Sequence, residues 1–142
     1  MIESIEISFS GTNYAGELDL SGSPRALQGV SNSIFDLIHD KDRIIFVVEA
    51  AVVDPTPYDI CLNSLSICKS NTLLKISVLA NSLYIHGSLD NLDSLASSFE
   101  FDEDTWSGYH HHVDCWDWID PDSIPLVISV KNSIVRPGTI LK

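Results

Sequence analysis

Between Gly108 and Ser123 the chain reads GYHHHVDCWDWIDPDS, which holds three of its five histidines, one of its three cysteines and two of its three tryptophans. Three kinds of chemistry compete for this stretch. On a strand, His110 and His112 project to one face and His111 and Val113 to the other, so a zinc site would use those two imidazoles, Cys115 or Asp114 as a third ligand, and His86 or water as a fourth. No second ligand pair has the spacing that closes such a site. A nucleophilic site would take Cys115, with His112 or His110 as base and Asp114 or Asp117 as orienting acid. Catalytic partners, however, converge from separate elements around an oxyanion hole, and no candidate for that hole is visible. The pair Asp117 and Asp120 invokes glycoside chemistry only if their separation is right, which spacing alone does not give.

The third chemistry is recognition. Trp106, Tyr109, Trp116 and Trp118 fall within thirteen residues, among Asp102, Glu103, Asp104, Asp114, Asp117, Asp120 and Asp122. Interface centres favour Trp and Tyr, and fixed acids around them steer and orient a basic partner. Each Trp alone is as readily explained by core packing. The cluster as a whole favours a protein-binding surface made of these residues together with His110 and His112, framed by the loops Ser107-Gly108 and Asp120-Pro121-Asp122-Ser123.

Charge points the same way. The net charge is −12, from 20 acidic and 8 basic residues, so a nucleic-acid backbone would be repelled at long range. No Lys or Arg occurs between Lys75 and Lys131, while ten of the acids do. A plain soluble acidic surface accounts for the total; the shared location of acids and tryptophans calls for a partner. The start, MIESIE, has neither a basic leader nor an apolar run of signal length. Ile44 to Val53 is interrupted by Glu49 and falls short of the ~20 residues a membrane helix needs. The expectation is a cytoplasmic protein with no membrane or nucleic-acid partner. Three cysteines without a C-x-x-C pair fit reduced, small buried thiols.

The elements that must position this stretch can be read in turn. At 142 residues, 44% of them apolar, one domain spanning residues 1–142 is expected. Ile5, Ile7 and Phe9 alternate with polar residues as a half-buried strand, and Leu18 and Leu20 mark a second. Ser23 then caps a helix opened by Pro24, with Leu27, Val30, Ile34, Leu37 and Ile38 as its apolar stripe, ending near His39-Asp40. Ile44 to Val48 reads as a central strand covered on both faces. Tyr58 to Leu62 is another strand, with a turn or bulge at Asn63-Ser64 where the apolar phase slips. Leu74 to Leu79 and Leu83 to Ile85 form a hairpin about Asn81-Ser82, before a helix carrying Leu89, Leu92, Leu95 and Phe99.

LDLSGSPRALQGVSNSI from Leu18 and LYIHGSLDNLDSLASSF from Leu83 align without gaps at an offset of 65. The same offset sets Ile44 on Tyr109, and a slightly larger one sets Asn63-Ser64 on Asn132-Ser133. The expectation is an α+β fold: a duplicated strand-strand-helix-strand-strand unit, residues 1–69 and 70–136, in a mainly antiparallel sheet with two helices on one face. Glycine-rich phosphate loops, G-x-S-x-G turns and H-E-x-x-H helices are absent, and no cofactor is expected.

Residues 82 to 130, with LYIHGSLDNLDSLASSF and YHHHVDCWDWIDPDSIPLVISV, resemble the closing half of small bacterial immunity proteins of polymorphic toxin systems, the immunity protein 32 family. The shared pattern is an apolar strand, Gly, a Leu-x-x-Leu helix, a His-x-His strand and a closing Ser-x-x-Leu-Val-Ile. It falls on Leu83, Ile85, Gly87, Leu92, Leu95, His110, His112, Ser123, Leu126, Val127 and Ile128. The triple histidine and the Trp-Asp-Trp run lie outside that pattern, so a contact role for them rests on chemistry alone. The resemblance implies a cytoplasmic, non-enzymatic protein that neutralises a cognate toxin domain, often a nuclease, whose basic groove an acidic protein can occupy. The alternative is a small zinc- or histidine-dependent hydrolase using His110, His112 and Cys115.

Overall fold

Period-two alternation sets the strands. In β1 (Ile5–Ser10), β2 (Glu17–Gly22) and β7 (Ser82–Gly87) every second side chain is buried, as a sheet with one covered face requires. The computed structural model describes residues 4–13, 15–114 and 116–134. In these residues the remaining elements are α1 (Pro24–His39), β3 (Ile45–Ala51), β4 (Ile60–Leu62), β5 (Ser64–Lys69), β6 (Lys75–Leu79), α2 (Leu89–Ser97), β8 (His110–Val113) and β9 (Leu126–Val130).

Both helices start as the sequence dictates. The Ser23 hydroxyl accepts from the Ala26 N–H with Pro24 at the first turn, and the Ser88 hydroxyl accepts from the Asn91 N–H, each satisfying a donor that has no partner within the helix. The α1 stripe, Leu27, Val30, Ile34 and Leu37, is buried in one core with Ile7, Leu20, Ile67, Ile85 and Leu126 of the sheet. Loss of one such side chain to Ala costs about 2–5 kcal/mol. In α2 the same role falls to Leu92 and Leu95; Phe99 lies two residues past the helix end yet is fully buried, whereas Leu89, at the exposed first turn, is not part of the core.

The protein is α+β, with a curled mixed sheet in the order β6-β7-β5-β3-β1-β2-β9-β8 and β4 added against β1. Five of its eight strand pairings are antiparallel, while β1–β3, β2–β9 and β5–β7 are parallel. The two halves exchange strands: hairpin β1–β2 is completed by β9 from the second half, and hairpin β6–β7 by β5 from the first. Register ties them together. Ile45 opposes Cys68 where His110 opposes Ser129, and Val48 opposes Leu65 where Val113 opposes Leu126. Strand β3 therefore matches β8 at the offset of 65, but β5 matches β9 at 61 (Leu65 to Leu126). The expected superposition of Asn63-Ser64 on Asn132-Ser133 is corrected: the first pair opens β5 and the second follows the end of β9.

Three further expectations change. β3 is central in the sheet but is not covered on both faces, since Ile45 and Val47 are 43% and 58% exposed; both helices pack on the inner side, and no described helix or strand lies over these two residues on the outer one. The β6–β7 turn falls on Ala80-Asn81 rather than Asn81-Ser82, with Ala80 at φ 55°. Cys61 and Cys68 are only partly buried, their thiols donating to the carbonyls of Ala51 and Lys69. No helix among the described residues is long and apolar enough to cross a membrane.

The curled sheet closes along the outer edge of β6. The Leu74 N–H donates to the Trp118 carbonyl (3.0 Å), the Asp120 N–H to the Leu74 carbonyl (2.8 Å), and the Ile124 N–H to the Ile76 carbonyl (2.9 Å). Ser123 completes the seam, its hydroxyl accepting from the Ile76 N–H (3.0 Å) and donating to the Leu74 carbonyl (3.3 Å). The Asn13 side chain takes both backbone groups of Val78. An edge that would otherwise template foreign strands is thus consumed, and the segment doing so is the Trp- and Asp-rich stretch itself.

Candidate functional site

The seam fixes the Trp loop. Past β8 the chain turns at Trp116 to Ile119, where the Ile119 N–H donates to the Trp116 carbonyl (3.0 Å), and Ile119 anchors in the core. The turn brings the two indoles together, with ring centroids 5.1 Å apart at 61°. Trp116 is 48% exposed, and Trp118 is half-buried against the core. Trp106, also half-buried, meets the exposed Tyr109 edge to face at 5.4 Å.

Strand β8 places its histidines on opposite faces, as its period requires. His110 and His112 are exposed, with rings 4.8 Å apart. His111 turns inward, stacked on Phe101 at 4.3 Å and 16°. Its Nδ1–H donates to the Ser98 carbonyl at 3.0 Å, and His110 Nδ1–H to the Gly108 carbonyl at 2.9 Å; a carbonyl only accepts, so the proton sits on Nδ1 in both rings.

Four hollows follow one another along this side of the molecule. The largest, about 710 Å³, lies between Gln28 of α1 and the residues Glu100, Asp102, Asp104, Trp106, Tyr109 and His111. A second, about 450 Å³, is bounded by Ser94 and Ser97 of α2, the three histidines and Trp116. A third of about 450 Å³ takes in Leu73, Asp114, Trp116, Asp117 and Asp120. The fourth, about 260 Å³, reaches Asp122 and Asn13. His111 belongs to the first two, Trp116 to the second and third, and Ser123 to the last two, so the hollows are joined. Eleven of the thirteen sequence-derived contact residues line them. Glu103 instead projects toward Arg25 (3.9 Å), and Trp118 backs Trp116.

Sequence reasoning missed Gln28, Leu73, Ser94, Ser97, Phe101 and His111. The first four come from distant elements with no signal in the 100–123 stretch. His111 was separated from its neighbours by strand alternation, which is correct for the strand and irrelevant to a hollow that wraps around its edge.

Charge on this side is largely uncompensated. Among the described residues its ion pairs are Arg25 with Glu103 and Lys75 with Asp120, both at 3.9 Å; the first is exposed and contributes little, while the second is partly buried at the seam and leaves the remaining carboxylates unpaired by Lys or Arg. On the outer sheet face beside β8, burial raises the Asp19 carboxyl above its ordinary value, opposed by the Ser129 hydroxyl it accepts from and by His110 and Lys131 nearby.

The other chemistries find less. Cys115, required by both the zinc and the nucleophile schemes, lies outside the described residues. Among those described, no three His, Cys, Asp or Glu side chains converge on one ion position. His86, the possible fourth ligand, sits on β7 held by Ser70 and Thr72. Asp120 is engaged by Lys75 and by the Asp122 N–H.

No family model matches this chain. Comparison with characterised proteins and with solved structures also returns no match.

Proposed function

We propose that the protein is a non-enzymatic, cytoplasmic binder that neutralises a cognate bacterial toxin domain, of nuclease type, by occupying its basic surface with the joined hollows from Glu100 to Asp122. The observation that carries this reading is the coincidence of three properties on one side of the fold: concave relief, exposed aromatic rings at Tyr109 and Trp116, and carboxylates with no Lys or Arg in the same segment. An interface of this composition has aromatic anchors for affinity and acids for steering. The resemblance of residues 82–130 to immunity protein 32 supplies the class of partner. Inhibition is then steric and electrostatic, since a groove filled by an acidic protein is closed to a polyanionic substrate.

The test is co-purification with the product of the neighbouring upstream gene. A stable complex is expected, its association rate falling about tenfold or more from low to physiological salt as exposed charges are screened. A neighbour that carries no toxin domain, or one that does not bind, refutes the reading.

A further inference from the structure

The largest hollow is built differently from the other three, and it deepens the function proposed above by naming what enters it. Its walls are aromatic rings set at right angles: Trp106 to Tyr109 at 89° and 5.4 Å, and Phe101 to Tyr109 at 86° and 6.1 Å. His111, stacked on Phe101, lines the same cleft. Edge-to-face contact at these distances leaves no gap between the rings, so they form one continuous aromatic wall in which Tyr109 is 43% exposed, and the face of an exposed aromatic ring carries the negative part of its quadrupole. Glu100, Asp102 and Asp104, all exposed, line the cleft with these rings, and among the described residues no Lys or Arg does. Both features select a cation.

We infer that this cleft receives an arginine side chain of the protein partner. A metal ion is a poor fit, because aromatic walls offer no hard oxygen ligands and the carboxylates do not converge. A nucleobase could stack there, but its phosphates would meet the carboxylates of a chain with net charge −12. Between the two basic side chains, guanidinium is planar, weakly hydrated and forked: it stacks on a ring while its edge N–H groups pair with a carboxylate. An ammonium satisfies only the charge. A cleft of about 710 Å³, open to solvent, has room for the side chain together with the backbone that carries it. The surrounding hollows at Trp116 and Asp117 then contact flanking parts of the same partner.

The inference rests on the partner reading, yet it can be tested apart from it. The full chain, labelled with nitrogen-15, is titrated with acetyl-Gly-Arg-Gly-amide and with the same peptide carrying citrulline, which keeps the shape of arginine and removes its charge. The three tryptophans give three indole N–H signals. The arginine peptide is expected to shift the Trp106 signal saturably, citrulline at least about tenfold more weakly, and the Trp116 signal is expected to stay in place. The doubly substituted chain Asp102→Asn with Asp104→Asn, both exposed positions, is expected to lose the response while keeping the wild-type Trp116 and Trp118 signals that report folding. No saturable shift, an equal response to citrulline, or a response at Trp116 in place of Trp106 overturns the inference. If a toxin domain is captured equally well by the wild-type and the doubly substituted chain, the cleft assignment falls and the partner reading stands. If arginine binds at Trp106 but no toxin domain is captured, the partner reading falls and the cleft assignment stands.

Discussion

Replacing Trp116 by Ala separates a residue kept for binding from one kept for packing. Trp116 is 48% exposed and touches Trp118 on its buried side. A large aromatic carries up to ~250 Å² of surface, so about 120 Å² is available to a partner; at ~25 cal/mol per Å² this is ~3 kcal/mol. Side-chain ordering and imperfectly paired polar groups reduce that figure, and about 2 kcal/mol, roughly a 30-fold rise in Kd, is the expected loss. The buried half contributes mainly its ring contact, about 0.5–1.5 kcal/mol. Trp116→Ala should therefore weaken binding of the proposed toxin partner, measured by calorimetric titration, far more than it lowers stability, measured by urea unfolding. Trp118→Ala should do the reverse, because that indole leans on the core. An affinity unchanged within about twofold for Trp116→Ala, together with a stability loss above about 2 kcal/mol, would show that the ring serves the fold and that the binding argument is wrong.

Other outcomes follow from the seam and the outer sheet face. Ser123→Ala leaves the Ile76 N–H without its acceptor at the closing edge, and should lower stability by about 1–3 kcal/mol in urea unfolding, whereas a loss below measurement would mean that the seam is held by its backbone bonds alone. Gly22 and Gly87 occupy the same place in the two halves, but a Cβ at Gly87 would meet Leu74 Cδ1 at 2.9 Å and one at Gly22 meets nothing nearer than 3.4 Å. Gly87→Ala should cost about 1–3 kcal/mol and Gly22→Ala much less, and equal effects in thermal melts would contradict the asymmetry. Asp19 has a carboxyl raised by burial, so its contribution to stability is full below the unfolded value of 3.8 and is lost as pH rises through the folded value. Asp19→Asn should accordingly raise the melting temperature at pH 7, with Ser129 still donating to the amide oxygen, and this gain should vanish near pH 3; a gain that persists in acid would point to a cause other than carboxylate burial.

Local rules and long-range ones were unequally legible in the sequence. Ser23 announced α1 because a cap is a contact over three residues, and Ile5, Ile7 and Phe9 announced a strand because period two needs no partner to be seen. The exchange of β5 and β9 between halves was not visible, since parallel pairing such as Leu18 with Leu126 joins residues far apart in the chain and leaves no spacing signature. The same limit explains β3. A run of β-branched residues has the composition of a doubly covered strand, but whether anything lies over Val47 depends on where two helices dock, and the turn of α1 and α2 to one side is a property of the whole sheet.

That limit also bears on what the resemblance to immunity proteins carries. Leu83, Ile85, Leu92, Leu95, Leu126 and Ile128 are fully buried, and Ser123 is spent on the seam. Of the shared positions, His110 and His112 are the ones placed on the surface beside Trp116. A pattern made chiefly of core residues specifies packing, and proteins that share packing can present different surfaces to different partners. Under the proposed function, the choice of partner therefore rests on residues outside the pattern that carries the resemblance: the carboxylates from Asp102 to Asp122 and the rings of Trp106, Tyr109 and Trp116. These are the residues that the closing of the sheet along β6 brings to one side, so a single structural device both protects the exposed edge and assembles the surface proposed to bind.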